Sequence, residues 1–227
     1  MNSGRFDHIV VGAATLEQGI EWAESVLGVR VPRGGRHAKM NTHNCVMQFE
    51  GENYFEIIAI EPNSPNPEHA RWFSLDNPAV QKQIALEPQL LTWAINVPDI
   101  AAAFAALEAL SLKPNVRIEA MTRDALRWQV AFGTDGELID AGLFPLVIEW
   151  DVPQHPALSM KATACSVVRI ELRARNASVT SRKLDAIGAL KSFSDIAVID
   201  ANRNELRVFL NTPNGEVVLS SLNSGVE

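Results

Sequence analysis

The 227-residue sequence predicts an α+β fold built on a strand–helix–strand unit that starts afresh twice along the chain. Three observations carry this expectation. A β-branched strand over Phe6–Val11 runs into a helix opened by Thr15, and a second over Leu90–Val97 runs into a helix opened by Asp99. A third, over Val167–Arg173, precedes a helix that Ser178 would cap and that runs to about Leu190. Self-similarity at this scale sets architecture before any local motif does.

In the first unit, alternation along a strand puts Phe6, His8 and Val10 on one face. Leu16, Ile20, Ala23 and Leu27 then recur at helical spacing, and Gly28 supplies the stop. Gly34-Gly35 reads as a turn and Asn44–Glu50 as a strand that Gly51 breaks. Tyr54–Ile60 is the closing strand, with Tyr54, Glu56 and Ile58 on one face. Glu61–Pro67 holds three prolines and reads as an extended connection. Asn77-Pro78 offers a helix start, since proline suits the first turn.

In the second unit Ile100, Ala103, Phe104, Leu107 and Leu110 form a helix face. Strands follow over Leu126–Phe132 and Leu143–Trp150, with a turn at Gly133–Gly136 between them. Superimposing Thr15 on Asp99 aligns the helices and brings Glu56 and Glu149 to matching ends of the closing strands. The third unit adds a strand at Ile196–Ile199 and a hairpin of Leu206–Asn211 with Glu216–Leu219 across Thr-Pro-Asn-Gly. In register with Thr15, Ser178 sets Glu171 where His8 stands but Leu219 or Ser220 where the closing glutamate belongs. That unit is expected to build no site, and instead to extend a sheet, cover an edge strand or form a homodimer contact. The three segments span 5–62, 88–152 and 163–222.

Composition narrows the function classes. An apolar fraction of 47% and a charged fraction of 21% are ordinary for a globular chain. A net charge of −7 argues against nucleic acid as partner, because phosphates need clustered Lys and Arg. Cys45 and Cys165 stand far apart, which fits buried thiols in a reducing cytoplasm rather than a disulfide scaffold. The amino terminus lacks the apolar stretch of a signal peptide, and the apolar helix at Ile100–Leu110 is too short to span a bilayer. The expectation is a cytoplasmic protein without a membrane partner. Nucleophile-elbow, phosphate-loop and dinucleotide motifs are absent.

One ordered set of segments is more specific. It runs Phe6-Asp7-His8-Ile9-Val10, Gly34-Gly35-Arg36-His37, Thr42-His43-Asn44 and Tyr54-Phe55-Glu56-Ile57-Ile58-Ala59. It continues through Arg71-Trp72-Phe73-Ser74-Leu75-Asp76, Leu90-Leu91-Thr92-Trp93, Leu126-Arg127-Trp128 and Ile148-Glu149-Trp150-Asp151. This set resembles the glyoxalase-like domain proteins of the vicinal oxygen chelate superfamily. The resemblance implies tandem βαβββ modules pairing into a cupped sheet, with the third segment a partial βαββ unit. It implies metal ligands on the first and last strands of each module, which marks His8, Glu56 and Glu149. The fourth position falls on Thr92 or Trp93, neither a usual ligand. The implied cofactor is a divalent ion, Zn, Fe, Mn, Co or Ni, since imidazole and carboxylate suit all five.

The residues allow functional and plain structural readings side by side. His8 and the two glutamates could hold an ion open to substrate oxygens, or could be hydrogen-bonded core residues paired with Arg36 and Arg127. Arg36, His37, Thr42, His43 and Asn44 cluster donors near a Gly-Gly pair and read as a substrate-anchoring loop, with His37 a catalytic acid or base. A solvated loop is the alternative. Trp93 and Trp128 suit the wall of a small-molecule pocket, or the core, and Trp150 the core. Arg127 could clamp an anionic substrate group, or lie in solvent. The leading expectation is a metal-dependent lyase or isomerase acting on a small carbonyl or vicinal-oxygen compound, with Glu149 sharing in the chemistry. Ring-cleaving dioxygenase activity fits less well, as a second ligand histidine is missing. The alternatives are a non-catalytic binding or sequestering protein of the bleomycin-resistance type, and a collapsed cup filled by tryptophan.

Overall fold

Every strand–helix junction of the computed structural model, which describes residues 3–221, carries its own start signal. The chain runs β1 (Arg5–Gly12), α1 (Leu16–Leu27), β2 (Arg33–His37), β3 (Thr42–Gln48), β4 (Tyr54–Ile60) and α2 (Pro78–Leu86). It continues with β5 (Gln89–Asn96), α3 (Ile100–Ala109), β6 (Val116–Arg123), β7 (Leu126–Gly133) and β8 (Leu146–Trp150). The last part holds β9 (Ser166–Ala174), α4 (Ala177–Ala186), β10 (Ile196–Asp200), β11 (Glu205–Thr212) and β12 (Gly215–Ser220). Thr15 caps α1 by accepting from the Gln18 amide, Asp99 caps α3 by accepting from Ala102, and Asn77 caps α2. Gly28 ends α1 in the left-handed region, with φ 70°. No described helix is long and apolar enough to cross a membrane.

The first two modules form one eight-stranded sheet in the order β2-β3-β4-β1-β5-β8-β7-β6. Its halves have the same connectivity: β1 lies parallel to β4, and β5 parallel to β8. The remaining pairs within each half are antiparallel, and an antiparallel β1–β5 pair joins the halves. The sheet curls into a half-barrel whose outer strands approach each other. Lys39, just beyond β2, donates to the Ala120 carbonyl of β6 at 2.8 Å.

Side-chain alternation divides this sheet into two chemistries. The convex face, with Ile9, Phe55, Ile57, Trp93 and Val147, packs under α1 and α3. The concave face carries Val10, Ile58, Ala94, Trp128, Val130 and Leu146. A fully buried side chain of this size stabilises the fold by about 1.5–3 kcal/mol.

The third unit forms a separate sheet, β10-β9-β11-β12. Ile170, Leu172, Leu184, Leu206 and Val208 join the convex-side core, so this sheet covers the helical face of the half-barrel. Its connectivity differs from that of the first two units. β9 is flanked by β10 and β11, whereas β1 and β5 each lie beside their own closing strand. Its helix is capped by Asn176, not Ser178, whose hydroxyl lies inside the first turn. Residue 222, the end of the segment read from sequence, lies outside the described residues.

Three local features depart from the sequence reading. Gly34-Gly35 sits inside β2, where the register slips between Arg33 and Arg36. β6 was not anticipated; it forms a hairpin with β7 across Asp124, whose φ is 53°. Phe6 does not share a face with His8, because the β1–β5 register slips between them and turns Phe6 into the convex core.

A second slip in the same ladder, between Val10 and Val11, bulges Leu91 against Gly142. Gly142 has φ 86°, and a Cβ there would sit 2.2 Å from the Leu91 carbonyl oxygen. We expect Gly142→Ala to destabilise the fold by about 2–3 kcal/mol, read as a lower urea midpoint, because left-handed strain and a backbone clash act together.

Candidate functional site

The site begins with the extra residue in β1. The slip between Phe6 and His8 makes Asp7 a bulge residue and sends its side chain to the concave side beside His8. Asp7 Oδ1 lies 2.5 Å from His8 Nδ1. Asp7 Oδ2 accepts from Trp150 Nε1 and meets His155 Nε2, both at 2.9 Å. The Asp7 side chain is wholly buried. Burial alone would raise its pKa, but hydrogen bonds and charge from His155 and His8 outweigh it and hold the carboxyl well below the usual range. Asp7 is therefore a fixed anion.

With Nδ1 turned to Asp7, His8 presents Nε2 to Glu56 Oε2 at 3.5 Å. Tyr54, the β4 residue opposite His8, stacks on its ring at 4.3 Å between centroids. Burial, with the Asp7 and Glu56 charges, pushes the Tyr54 phenol well above its ordinary pKa, so it stays neutral. The other Glu56 oxygen accepts from Asn44 Nδ2 at 2.6 Å. Asn44 in turn accepts from the Gly35 amide at 2.8 Å. A Cβ on Gly34 would fall 2.3 Å from that Asn44 oxygen, so the glycine makes room for the amide that aims Glu56.

His37, at the end of β2, is buried against Trp72, with Nδ1 3.1 Å from Thr42 Oγ1. Burial lowers its pKa to about 4, so the ring is neutral at neutral pH. Trp72, Phe73, Trp128, Leu146, Ile148 and Trp150 wall the remaining space, a cavity of about 40 Å³. Pro156 and Met160 close it from a strap that follows β8. The strap is pinned by His155 on Asp7, and by Thr163 Oγ1 and the Lys161 carbonyl on the backbone of Gln48. Arg123, at the end of β6, also lines this cavity.

His8, Glu56, His37, Thr42, Asn44 and Trp128 are thus brought to one place, and other expected residues are not. Glu149 lies on the convex side of β8, where its carboxylate accepts from the Ile100 amide at the start of α3, at 2.7 Å. The reason is strand parity. Val10 pairs with Glu56, and the matching Ala94 pairs with Leu146, so Leu146 is the true counterpart of Glu56. Glu149, three residues on, points to the other face. Trp93 is a convex core residue that donates to the Leu143 carbonyl, and Thr92 takes the place of His8 and donates to the Gly142 carbonyl. Arg36 is exposed and paired with Glu61. His43 and Cys45 alternate onto the convex side, and burial pushes the Cys45 thiol up to about 11, an inert group. Arg127 is exposed and lines an outer cleft of about 700 Å³ with Glu149 and Trp150.

This donor set does not fit a resident divalent ion. Three or more protein ligands are usual, and the four expected positions hold His8, Glu56, Thr92 and Leu146. Among the described residues no group of three His, Cys, Asp or Glu side chains is placed to share an ion. Sequence reading missed Asp7, His155, Tyr54 and Arg123. The adjacent Asp-His pair was legible, but the bulge that folds one onto the other was not.

The glyoxalase-like domain family matches residues 6–188, and the chain belongs to that family, within the vicinal oxygen chelate superfamily. A hypothetical protein of Staphylococcus aureus is similar in structure with a TM-score of 0.57 at 20% identity, over 96% of this chain and 84% of that one. Methylmalonyl-CoA epimerase of Mycobacterium tuberculosis gives 0.38 at 17% identity, over 64% and 86% of the two chains. The Streptomyces coelicolor epimerase, in complex with 2-nitronate-propionyl-CoA, gives 0.40 at 16%, over 68% and 98%. These likenesses concern fold, not chemistry. No functionally curated protein matches the chain.

Two measurements test the network. His37 binds protons less readily folded than unfolded, so its contribution is intact above pH 6.5 and is lost as pH falls towards about 4. Replacing it in His37→Gln should flatten that limb of the stability profile by up to about 3 kcal/mol, followed by urea melts across pH. Asp7→Asn, which removes the anion shared by two imidazoles, should lower stability by about 3–5 kcal/mol in the same assay.

Proposed function

We propose that the concave pocket binds a small carbonyl compound and moves a proton on it, as an isomerase or lyase does, with Glu56 as the base. The observation that supports this most is the Asp7–His8–Glu56 chain, which is buried and ends in a cavity. A proton leaves the carbon next to the carbonyl for Glu56 Oε2, and the C–H electron pair moves to form an enolate. His8, anchored by Asp7 through Nδ1, holds Nε2 3.5 Å from Glu56 Oε2 and so keeps an imidazole edge against the base. Neutral His37 can donate a ring N–H to the enolate oxygen, and the pocket's aromatic walls keep water from it. Returning the proton to another position gives an isomerase; expelling a leaving group gives a lyase. No step is routed through a divalent ion, because only two of the four expected ligand positions, His8 and Glu56, carry a usual ligand.

A second reading is a binding or sequestering protein of the bleomycin-resistance type. It is favoured by both Glu56 oxygens being held by protein groups. Deuterium incorporation into 2-oxobutanoate and acetoacetate in D₂O, followed by proton NMR, separates the two. Wild type should exchange faster than buffer, and Glu56→Gln should lose about 10²–10⁴-fold of that rate. Prior dialysis against a chelator should leave the wild-type rate unchanged; a chelator-sensitive rate would restore the metal-dependent reading. Binding without exchange would establish sequestration.

A further inference from the structure

Among the described residues, Arg123 is the one pocket-lining charge that the proton chain leaves unused. It is half-buried, and among the described residues its side chain has no ion-pair or hydrogen-bond partner. The anion nearest in function, Glu56, has its oxygens on Asn44 and His8. The neighbouring acid on the same strand, Glu119, is taken by Lys39 and Arg117. The guanidinium is also deliberately accommodated. Arg123 lies over Gly35 of β2, where a Cβ would come within 2.6–2.8 Å of its Cδ, Nε and Nη1. Its charge is felt by both His37 and Tyr54, so its field reaches into the cavity.

An unpaired guanidinium at a half-buried aromatic pocket is a waiting partner for an anion, and its fork matches a carboxylate with two parallel hydrogen bonds. From this geometry we infer that Arg123 is the specificity residue for a carboxylate on the ligand, so that the pocket takes small oxocarboxylates in preference to neutral carbonyl compounds. The carboxylate sits on Arg123 at the β2–β6 seam and the carbonyl carbon chain extends towards Glu56. This deepens the proton-transfer reading of the same pocket, but the recognition step stands apart from the reaction.

The test compares acids with amides of the same skeleton: 2-oxobutanoate against 2-oxobutanamide, and acetoacetate against acetoacetamide. Affinity is read from quenching of tryptophan fluorescence and by calorimetry on the full chain. At least one acid should bind about tenfold or more tightly than its amide, as charge-assisted hydrogen bonds would give. Arg123→Gln should erase that preference, and Arg123→Lys should retain part of it while melting as wild type does. An amide binding as well as its acid, a preference that survives in Arg123→Gln, or no measurable binding of either acid would overturn the assignment. Glu56→Gln serves as the control that separates the two ideas. Acid preference kept in that variant with no exchange in the wild type would refute proton transfer alone. Exchange in the wild type that is equal for acids and amides would refute the Arg123 assignment alone.

Discussion

The site depends on one irregularity, the extra residue in β1. An unbroken β1–β5 ladder would send Asp7 to the convex side, under the helices and away from the rings that hold it. The slip turns it inwards with His8, and three ring N–H groups then converge on one wholly buried carboxylate. Desolvating a carboxylate costs several kcal/mol unless hydrogen bonds repay it. Here the repayment comes from β1, β8 and the strap at once, so a single anion ties the first module to the second and to the chain that closes the pocket. Local backbone geometry, electrostatics and closure are one feature.

The second constraint lies at the opposite end of the sheet. A half-barrel must bring its edge strands together without a continuous ladder, and here β2 and β6 meet through Arg123 over Gly35 and through Lys39, just beyond β2, on Glu119 and Ala120. Bulky residues on β2 would hold the seam apart. Gly34 and Gly35 give it up to two neighbours instead, Asn44 on one side and Arg123 on the other. The same pair that permits closure therefore places the amide that orients Glu56 and the guanidinium that faces the cavity.

The fold was largely legible because its signals are local. Thr15, Asn77 and Asp99 cap the helices they precede, and Gly28 stops the first. Alternation correctly joined Tyr54, Glu56 and Ile58. What escaped depends on long-range register. Matching the ends of the closing strands brought Glu149 level with Glu56, but those strands are entered at different points, and an odd offset reverses the face. β6 escaped for a related reason: Arg117, Glu119 and Arg123 interrupt its apolar pattern, since this edge strand is only partly covered. Arg123 was lost with it. Asp7 and His155 are 148 positions apart, and no spacing rule joins such a pair.

The two halves of the sheet share a strand plan but not a chemistry. Where the first half carries His8 and Glu56, the second carries Thr92 and Leu146. The substitution is coherent, not a loss of two ligands at random. Leu146 and Ile148 join Trp128 and Trp150 as an apolar wall facing the polar pair. A hydroxyl at position 92 is satisfied by the Gly142 carbonyl and makes no demand on the cavity. The first half thus supplies His8, Glu56 and His37, and the second an apolar surface opposite them. Electrostatic interactions gain strength in such surroundings. A symmetric arrangement with four ligands would need an ion to hold four polar groups together. The asymmetric one satisfies its charges within the protein, through Asp7 and Asn44, and among the described residues leaves Arg123 as the unpaired cation lining the pocket.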